Sequence, residues 1–148
     1  MLLGIEHSLH LGKTEPTELL SYEDGRVNIE HILPQKWEKH WPLEAAPGEE
    51  SYDALLEQRQ SAIHSLGNLT ITTSKLNRSM SNKAWEAKSK ELQKHSLLRI
   101  TTASVLSAPE PATGMSDEVW AAEWNEDRIA RRGEWLRDQA LCVWPKPV

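Results

Sequence analysis

The sequence predicts a mostly helical α+β domain, and three observations support this fold class. Two short stretches at 26–32 and 69–73 are rich in β-branched residues and alternate as strands do. Most of the remaining chain carries apolar residues at helical spacing. The length of 148 residues suits a single domain with its own hydrophobic core. We therefore predict one domain over residues 1–148.

The first half of the chain predicts a helix, a strand and a second helix in that order. Residues 2–10 place leucines near helical spacing. In the strand at 26–32, Val27, Ile29 and His31 share one face, while Asn28 and Glu30 share the other. Pro34 ends this strand. Ser51 is the expected N-cap of a helix that ends before Gly67.

The second half predicts a strand followed by helices. The strand at 69–73 leads into a helical turn at 74–80 and a longer helix from about 81 to 95. Residues 104–114 are rich in Pro, Ala and Ser and predict a linker. A last helix is expected over about 116–141. A glycine inside this helix, Gly133, costs about 1 kcal/mol relative to Ala, which indicates a bend or close packing there.

The composition is that of an ordinary globular chain with an unusual set of aromatic residues. It has seven Trp and no Phe, so tryptophan must supply most of the aromatic packing. A single cysteine, Cys142, excludes an internal disulfide and indicates a reducing compartment. No stretch approaches the ~20 apolar residues of a membrane span, and the N-terminus lacks the basic region of a signal peptide. We expect a cytoplasmic protein without a membrane partner.

The charge of the chain is unevenly distributed. Overall it is −5, which argues against nucleic acid as a partner. Residues 64–99, however, hold seven Lys and Arg against two Glu, a local charge of +5. Such an island predicts a phosphate-contacting surface, or alternatively a solvated lysine-rich helix face. The candidate nucleic-acid-binding residues of this island are Lys75, Arg78, Lys83 and Lys88.

Four polar residues lie in or beside the predicted strands and helices in a way that suggests a site. Glu30 and His31 stand side by side near the end of the first strand, while Asn68 and Asn77 flank the second. Each has an ordinary structural interpretation, as a hydrogen-bonded core pair, a turn residue or a helix cap. Together they offer a carboxylate, an amide oxygen and an imidazole next to a basic helix.

This set of groups suits one-metal hydrolysis of a phosphodiester. Mg²⁺ prefers oxygen ligands and retains several waters, so one carboxylate and one amide are enough from the protein. An imidazole with a pKa near neutrality can accept a proton from the attacking water. Neighbouring strand residues point to opposite faces, so we expect the backbone to turn before Pro34, bringing Glu30 and His31 to one phosphate.

Two segments, IEHILPQ (29–35) and SLGNLTITTSKLNRSMSNKAWEAK (65–88), resemble those of the HNH, or ββα-metal, nucleases. They are most similar to the C-terminal nuclease domain of GmrSD-type modification-dependent restriction enzymes, a group that includes phosphorothioate-sensing nickases. The segment WNEDRIARRGEWLRDQALCVWP (124–145) resembles that family's terminal pattern. The resemblance implies a ββα-metal core at about 26–95 with added helices.

The resemblance also implies roles for the four polar residues. His31 would be the general base, and Glu30 and Asn77 would hold the metal. Asn68 would be the catalytic-site asparagine that braces the site and fixes the histidine. Lys83 and Lys88 match family positions that contact the phosphate backbone. Asn77 replaces the histidine that closes the motif in many relatives, which shifts the expected cofactor from Zn²⁺ to Mg²⁺ or Mn²⁺.

The function implied is that of a divalent-metal-dependent DNA endonuclease, which nicks or cleaves, in an antiviral restriction system. An N-terminal nucleotide-dependent domain of the same protein or complex would sense modified DNA, such as glucosylated bases or a phosphorothioate backbone. The present chain would then be the C-terminal effector part of a larger protein.

Two other functions fit the same residues. A catalytically silent DNA-binding module would keep the basic surface without cleavage. In a helical interaction domain, Glu30 and His31 would be a structural pair and the lysine-rich helix would be solvated. We interpret two further histidines as structural: His64, near a helix C-terminus that favours a cation, and His40, between two tryptophans.

Overall fold

The computed structural model describes residues 1–11, 27–109 and 114–145. They form a mostly helical fold with one small sheet, as the sequence predicts. In the described residues no helix is long and apolar enough to cross a membrane. The elements are α1 (Leu2–Leu9), β1 (Val27–His31), α2 (Tyr52–Ile63), a 3₁₀ turn (Leu66–Asn68), β2 (Leu69–Thr73), α3 (Ser74–Met80), α4 (Trp85–His95), α5 (Arg99–Thr102), α6 (Asp117–Ala121) and α7 (Glu126–Val143).

The two strands pair antiparallel, with Glu30 opposite Thr70 and His31 opposite Leu69. The central residues of β2 are buried on both faces of the sheet. In β1, by contrast, Ile29 is 53% exposed, although the pattern predicts that it shares a face with buried Val27. The first residue of the predicted strand, Arg26, lies outside the described residues. The pairing places the end of β1 directly beside the start of β2.

Helix α3 follows β2 without a gap, because Thr73 ends the strand and caps the helix. Its hydroxyl accepts a hydrogen bond from the Leu76 backbone N–H at 3.4 Å. The helix ends at Met80, and the next residue, Ser81, has a φ of 40°, in the left-handed region that non-glycine residues seldom occupy. The longer helix predicted from about 81 therefore begins only at Trp85, as α4.

The last predicted helix, about 116–141, is two helices. Ser116 caps α6 as expected, its hydroxyl accepting from the Val119 N–H at 3.4 Å. The chain then turns so that Trp124 enters the core, and the Asn125 side chain starts α7 by accepting from the Arg128 N–H at 3.0 Å. A continuous helix would have given up both the buried indole and this cap.

The predicted linker at 104–114 is described up to residue 109 and at 114. The described part has no regular secondary structure after Thr102. It nevertheless belongs to the core, because Val105 and Ala108 are buried. Thr101 and Ser104 are buried as well, and the Ser104 hydroxyl donates to the Ile100 carbonyl. The described part at 104–109 is thus packed against the core.

Tryptophan supplies the aromatic packing, as the composition predicts. Five indoles lie in one buried cluster with aliphatic side chains from the loops and from α2, α3, α4 and α7; they are Trp37, Trp41, Trp85, Trp120 and Trp124. Several of their N–H groups donate hydrogen bonds: Trp85 donates to the Ala121 carbonyl and Trp120 to the Val105 carbonyl. A second cluster joins α1, the sheet and α7 through Ile5, Ile71 and Leu136.

Helix α7 packs against the 3₁₀ turn at a glycine–glycine contact. A Cβ added to Gly67 would lie 1.9 Å from the Ile129 carbonyl oxygen and 2.9 Å from the Gly133 nitrogen. A Cβ added to Gly133 would lie 3.7 Å from the nearest Gly67 atoms, an ordinary contact. The close packing expected at Gly133 is present, but the residue that requires glycine is Gly67.

These contacts predict opposite effects for two alanine substitutions. Gly67→Ala should lower the free energy of unfolding by at least about 3 kcal/mol, because α7 backbone must move away. Gly133→Ala, the control on the facing element, should raise it by about 0.5–1 kcal/mol, since alanine is the better helix former. Urea denaturation followed by tryptophan fluorescence measures both. Equal effects of the two substitutions would contradict this packing.

Candidate active site

Three of the four predicted polar residues line one shallow pocket. The pocket has a volume of about 230 Å³ and lies where β1 ends beside α3. Glu30 and His31 enter it from the strand, and Asn77 enters it from the helix. Glu30 and His31 are adjacent on the strand and nevertheless line the same pocket, as expected if both act on one phosphate. Its other lining residues are Pro34, Gln35, Lys36, Ser81 and Asn82.

A buried lysine supports the pocket from beneath. The Lys88 ammonium donates to Glu30 Oε1 at 2.7 Å and to the His31 carbonyl oxygen at 2.8 Å. Lys88 is only 1% exposed. The predicted contact of Lys88 with a phosphate backbone is therefore corrected: its charge is used inside the protein, where it holds both site residues. A sequence shows only that this lysine lies on a helix, whereas its burial depends on how α4 meets β1.

Burial and neighbouring charges shift the pKa values of these three groups. Burial raises the pKa of the Glu30 carboxyl, and the Lys88 ammonium opposes that shift. Burial lowers the pKa of Lys88, against the effect of Glu30. Burial, followed by the charges of His64 and Lys88, lowers the pKa of His31. An imidazole with a lowered pKa is mostly neutral near pH 7 and can accept a proton.

Asn68 braces the site but does not contact the histidine. Its Oδ1 accepts from the Leu33 N–H at 2.8 Å and from Trp124 Nε1 at 3.2 Å. Its Nδ2 donates to the carbonyls of Leu33 and Ile63 at 2.8 and 3.0 Å. Asn68 therefore does brace the site, but through the backbone of Leu33, two residues beyond His31. The predicted direct fixing of the imidazole, and a catalytic contact by this fully buried side chain, are corrected.

The residue beside the imidazole is His64, which the sequence indicated as structural. The rings of His31 and His64 are 5.9 Å apart between centroids and meet at 87°, an edge-to-face arrangement. His64 follows α2 and is exposed. The sequence did contain a signal for this proximity, since His64 lies three residues before Gly67. Asn68 and β2 follow directly and return the chain to the end of β1.

The remaining predicted DNA contacts lie at different places around α3. Lys83 is exposed in a trough next to the site pocket, which also contains Lys36, Ser81 and Asn82. Lys75 opens instead onto a separate pocket with Ser79, Glu91 and His95. Arg78 is exposed on α3 and lines none of the pockets described here. Of these three remaining cations, Lys83 is the one that lies next to the site pocket.

The donor atoms in the pocket suit a hard divalent cation. Glu30 offers a carboxylate and Asn77 an amide oxygen, both of which Mg²⁺ and Mn²⁺ accept. Among the described residues no group of three or more His, Cys, Asp or Glu side chains could hold a metal ion. This set differs from the nitrogen- and sulfur-rich sets typical of zinc and fits an ion that keeps several waters.

A model of the family described as GmrSD restriction endonucleases, C-terminal domain, matches residues 2–139. The matched range includes all of the candidate site residues. Searches of curated proteins and of solved structures gave no match.

The contacts of Lys88 predict a large effect on stability. Lys88→Met keeps most of the volume but leaves the Glu30 carboxylate and the His31 carbonyl without their shared donor. We expect the free energy of unfolding to fall by about 2–3 kcal/mol. Lys90→Met is the matched control, because Lys90 is on the same helix in an exposed pair with Glu86, and should change it by less than about 0.5 kcal/mol. Urea denaturation of both variants is the measurement, and similar losses would argue against a supporting role for Lys88.

Proposed function

The chain belongs to the family of GmrSD restriction endonuclease C-terminal domains, and on this premise we propose that it is an HNH-type, divalent-metal-dependent DNA endonuclease. Membership of the family gives it a nuclease role in restriction, with DNA as the substrate. The reaction proposed is hydrolysis of a phosphodiester bond by water. The single observation that carries the proposal is the meeting of Glu30, His31 and Asn77 in one pocket.

His31 is the general base of the proposed reaction. Its imidazole accepts a proton from the attacking water, whose oxygen bonds to phosphorus as the bond from phosphorus to the leaving oxygen breaks. The lowered pKa of His31 favours the neutral form that this step needs. Lys88 holds the backbone carbonyl of the same residue. The base is therefore attached to a fixed point of the strand.

Glu30 and Asn77 would hold the metal ion, with Mg²⁺ or Mn²⁺ as the expected cofactor. The ion would supply charge neutralisation at the scissile phosphate and at the leaving oxygen. Lys88 keeps one Glu30 oxygen in place and favours the ionised carboxylate that a metal ligand must be. Asn77 lies on the last turn of α3, where its backbone carbonyl accepts from the Ser81 backbone N–H at 3.0 Å.

The domain would act as the effector of a larger defence system. Contacts to the phosphate backbone position a protein on DNA and carry no direct sequence information. A separate N-terminal nucleotide-dependent domain would therefore supply recognition of the DNA modification. This assignment extends the restriction role of the family and includes antiviral defence.

Plasmid cleavage tests the proposal. The protein should convert supercoiled plasmid into open-circle or linear product with Mg²⁺ or Mn²⁺ and should be inactive in EDTA. His31→Ala should lower the rate about 10²- to 10⁴-fold, because it removes the general base. Open circles alone would indicate nicking, and linear product would indicate cutting of both strands.

The control for this experiment is His95→Ala. His95 is exposed and lines the separate pocket beside Lys75, so its loss should leave the rate unchanged. Circular dichroism of both variants establishes that they are folded. A folded His31→Ala variant with the wild-type rate, or wild-type cleavage that persists in EDTA, would contradict the proposed mechanism.

A further inference from the structure

The site pocket continues into a second depression, here called the lysine trough. The trough has a volume of about 480 Å³ and is lined by Lys36, Glu38, Lys39, His40, Ser81, Asn82 and Lys83. Three of these residues, Lys36, Ser81 and Asn82, also line the site pocket. An extended ligand bound in the pocket of Glu30 and His31 could therefore continue along the protein surface toward Lys39 and Lys83.

The two walls of the lysine trough are joined by the core. The Trp41 indole N–H donates to the Lys83 carbonyl at 3.1 Å, and the Trp41 backbone N–H donates to the Trp37 carbonyl at 2.9 Å. Both indoles are buried. On the opposite wall, Ser81 holds its φ of 40°, a backbone conformation that is often retained at functional sites. The trough is thus part of the folded structure.

The trough carries an excess of unpaired positive charge. Lys36, Lys39 and Lys83 are exposed, and their ammonium groups form no ion pair or hydrogen bond within the part of the chain that the structure describes. Glu38 is the one carboxylate in the lining. Free ammonium groups in a groove beside a hydrolytic site are suited to phosphates. Lys36 and Lys39 come from the acidic part of the sequence, residues 1–63, and were therefore absent from the basic island.

We infer that the lysine trough binds the phosphates of the DNA strand that adjoin the scissile phosphate. The inference rests on the proposed nuclease function and names the subsite next to its catalytic pocket. Lys36 stands at the junction of the two depressions, while Lys39 and Lys83 extend the contact away from Glu30 and His31. The trough contributes binding that is the same before and during hydrolysis, so it acts on KM.

A double variant with a matched control tests the inference. Lys39→Gln with Lys83→Gln removes two trough charges that lie outside the site pocket, and Lys90→Gln with Lys94→Gln removes two exposed charges from α4. Fluorescence anisotropy with a labelled DNA duplex in EDTA measures affinity against salt concentration without cleavage. The trough variant should bind the duplex more weakly. The magnitude of its slope of log affinity against log salt should fall by about 2, about 1 for each phosphate contact removed. The control should keep the wild-type slope.

Cleavage kinetics in Mg²⁺ separate this inference from the proposed function. The trough variant should raise KM and leave kcat unchanged, whereas His31→Ala lowers kcat. If the wild type binds and cleaves while the trough variant matches the control in slope and KM, the trough inference is overturned and the nuclease stands. If the trough variant loses slope but the wild type cleaves nothing, the trough stands and the nuclease proposal falls. A wild type that neither binds nor cleaves overturns both.

A second, independent observation concerns the orientation of the His31 ring. Among the described residues the ring has no hydrogen-bond partner, since Asn68 pairs elsewhere and Lys88 binds only the backbone carbonyl. A general base is normally oriented by a third group. The described contact to this ring is the edge-to-face one with His64, at 5.9 Å and 87°.

The geometry points to His64 as a positioning residue that orients the His31 imidazole, an assignment that also rests on the proposed function. Because His64 is exposed and follows the last turn of α2, its ring can be exchanged without opening the core. The contact acts through ring shape, so an aromatic ring without nitrogen should serve in its place.

Two substitutions at His64 distinguish positioning from a general loss of structure. His64→Ala should lower kcat about 10- to 100-fold with KM and melting temperature unchanged, because misplacement of a reacting group has effects of that size. His64→Phe should restore most of kcat. The NMR shift of the His31 Hε1 proton, which needs no cleavage, should change in His64→Ala and be largely kept in His64→Phe. Wild-type kcat and an unmoved proton in His64→Ala, or equal defects in both variants, would overturn the assignment.

Discussion

The four hydrogen bonds of the Asn68 side chain are the constraint on which the rest of the site depends. They join the loop after β1, the end of α2 and the segment before α7 at one buried point. Every donor and acceptor of the amide is used, so the arrangement has few alternatives. The backbone on either side is held by Arg132, whose Nη1 donates to the carbonyls of Gly67 and Leu69 at 2.7 and 2.8 Å. Glu30 and His31 reach one pocket because the chain beyond them is fixed in this way.

Sequence reasoning predicted the parts of the site that depend on local order and on the family motif. The sequence predicts a site from Glu30 and His31 at the end of the first strand and Asn77 on the helix after the second strand, and the three residues lie in one pocket. The parts that depend on tertiary contacts were interpreted differently. The sequence predicts Lys88 as a phosphate-contacting cation, whereas α4 turns it under β1. The sequence indicates a structural role for His64, whereas the return of the chain to β1 places its ring against that of His31. The break before α7 was also missed, because helical periodicity does not show that Trp124 turns inward.

The burial of Lys88 gives the site a fixed positive charge below its surface. Removing an ammonium and a carboxylate from water is costly, and the 2.7 Å contact with Glu30 offsets only part of that cost. Replacing the whole Lys88–Glu30 pair by apolar residues of similar volume would cost the fold little, whereas Lys88→Met alone leaves Glu30 unpaired. The presence of the charged pair therefore indicates a functional reason. The charge of Lys88 adds to the effects of burial and His64 in lowering the pKa of His31 and opposes the burial that raises the pKa of Glu30. It also adds a positive potential where a phosphate would bind. The buried charge at the end of β1 therefore costs stability but provides a positive potential in the site.

The chain is negatively charged overall but carries positive groups beside the pocket, and this difference affects how the proposed nuclease would bind DNA. A chain of net charge −5 gains little from long-range attraction to a polyanion. Its favourable surface is local, because the exposed ammonium groups of Lys36, Lys39 and Lys83 lie beside the pocket. In the proposed nuclease, a phosphate would be held well once it reached the pocket but would seldom be drawn there. Delivery by a domain that has already bound modified DNA would overcome that deficit through a high effective concentration, and cleavage would follow recognition without any reading of bases by the catalytic domain itself.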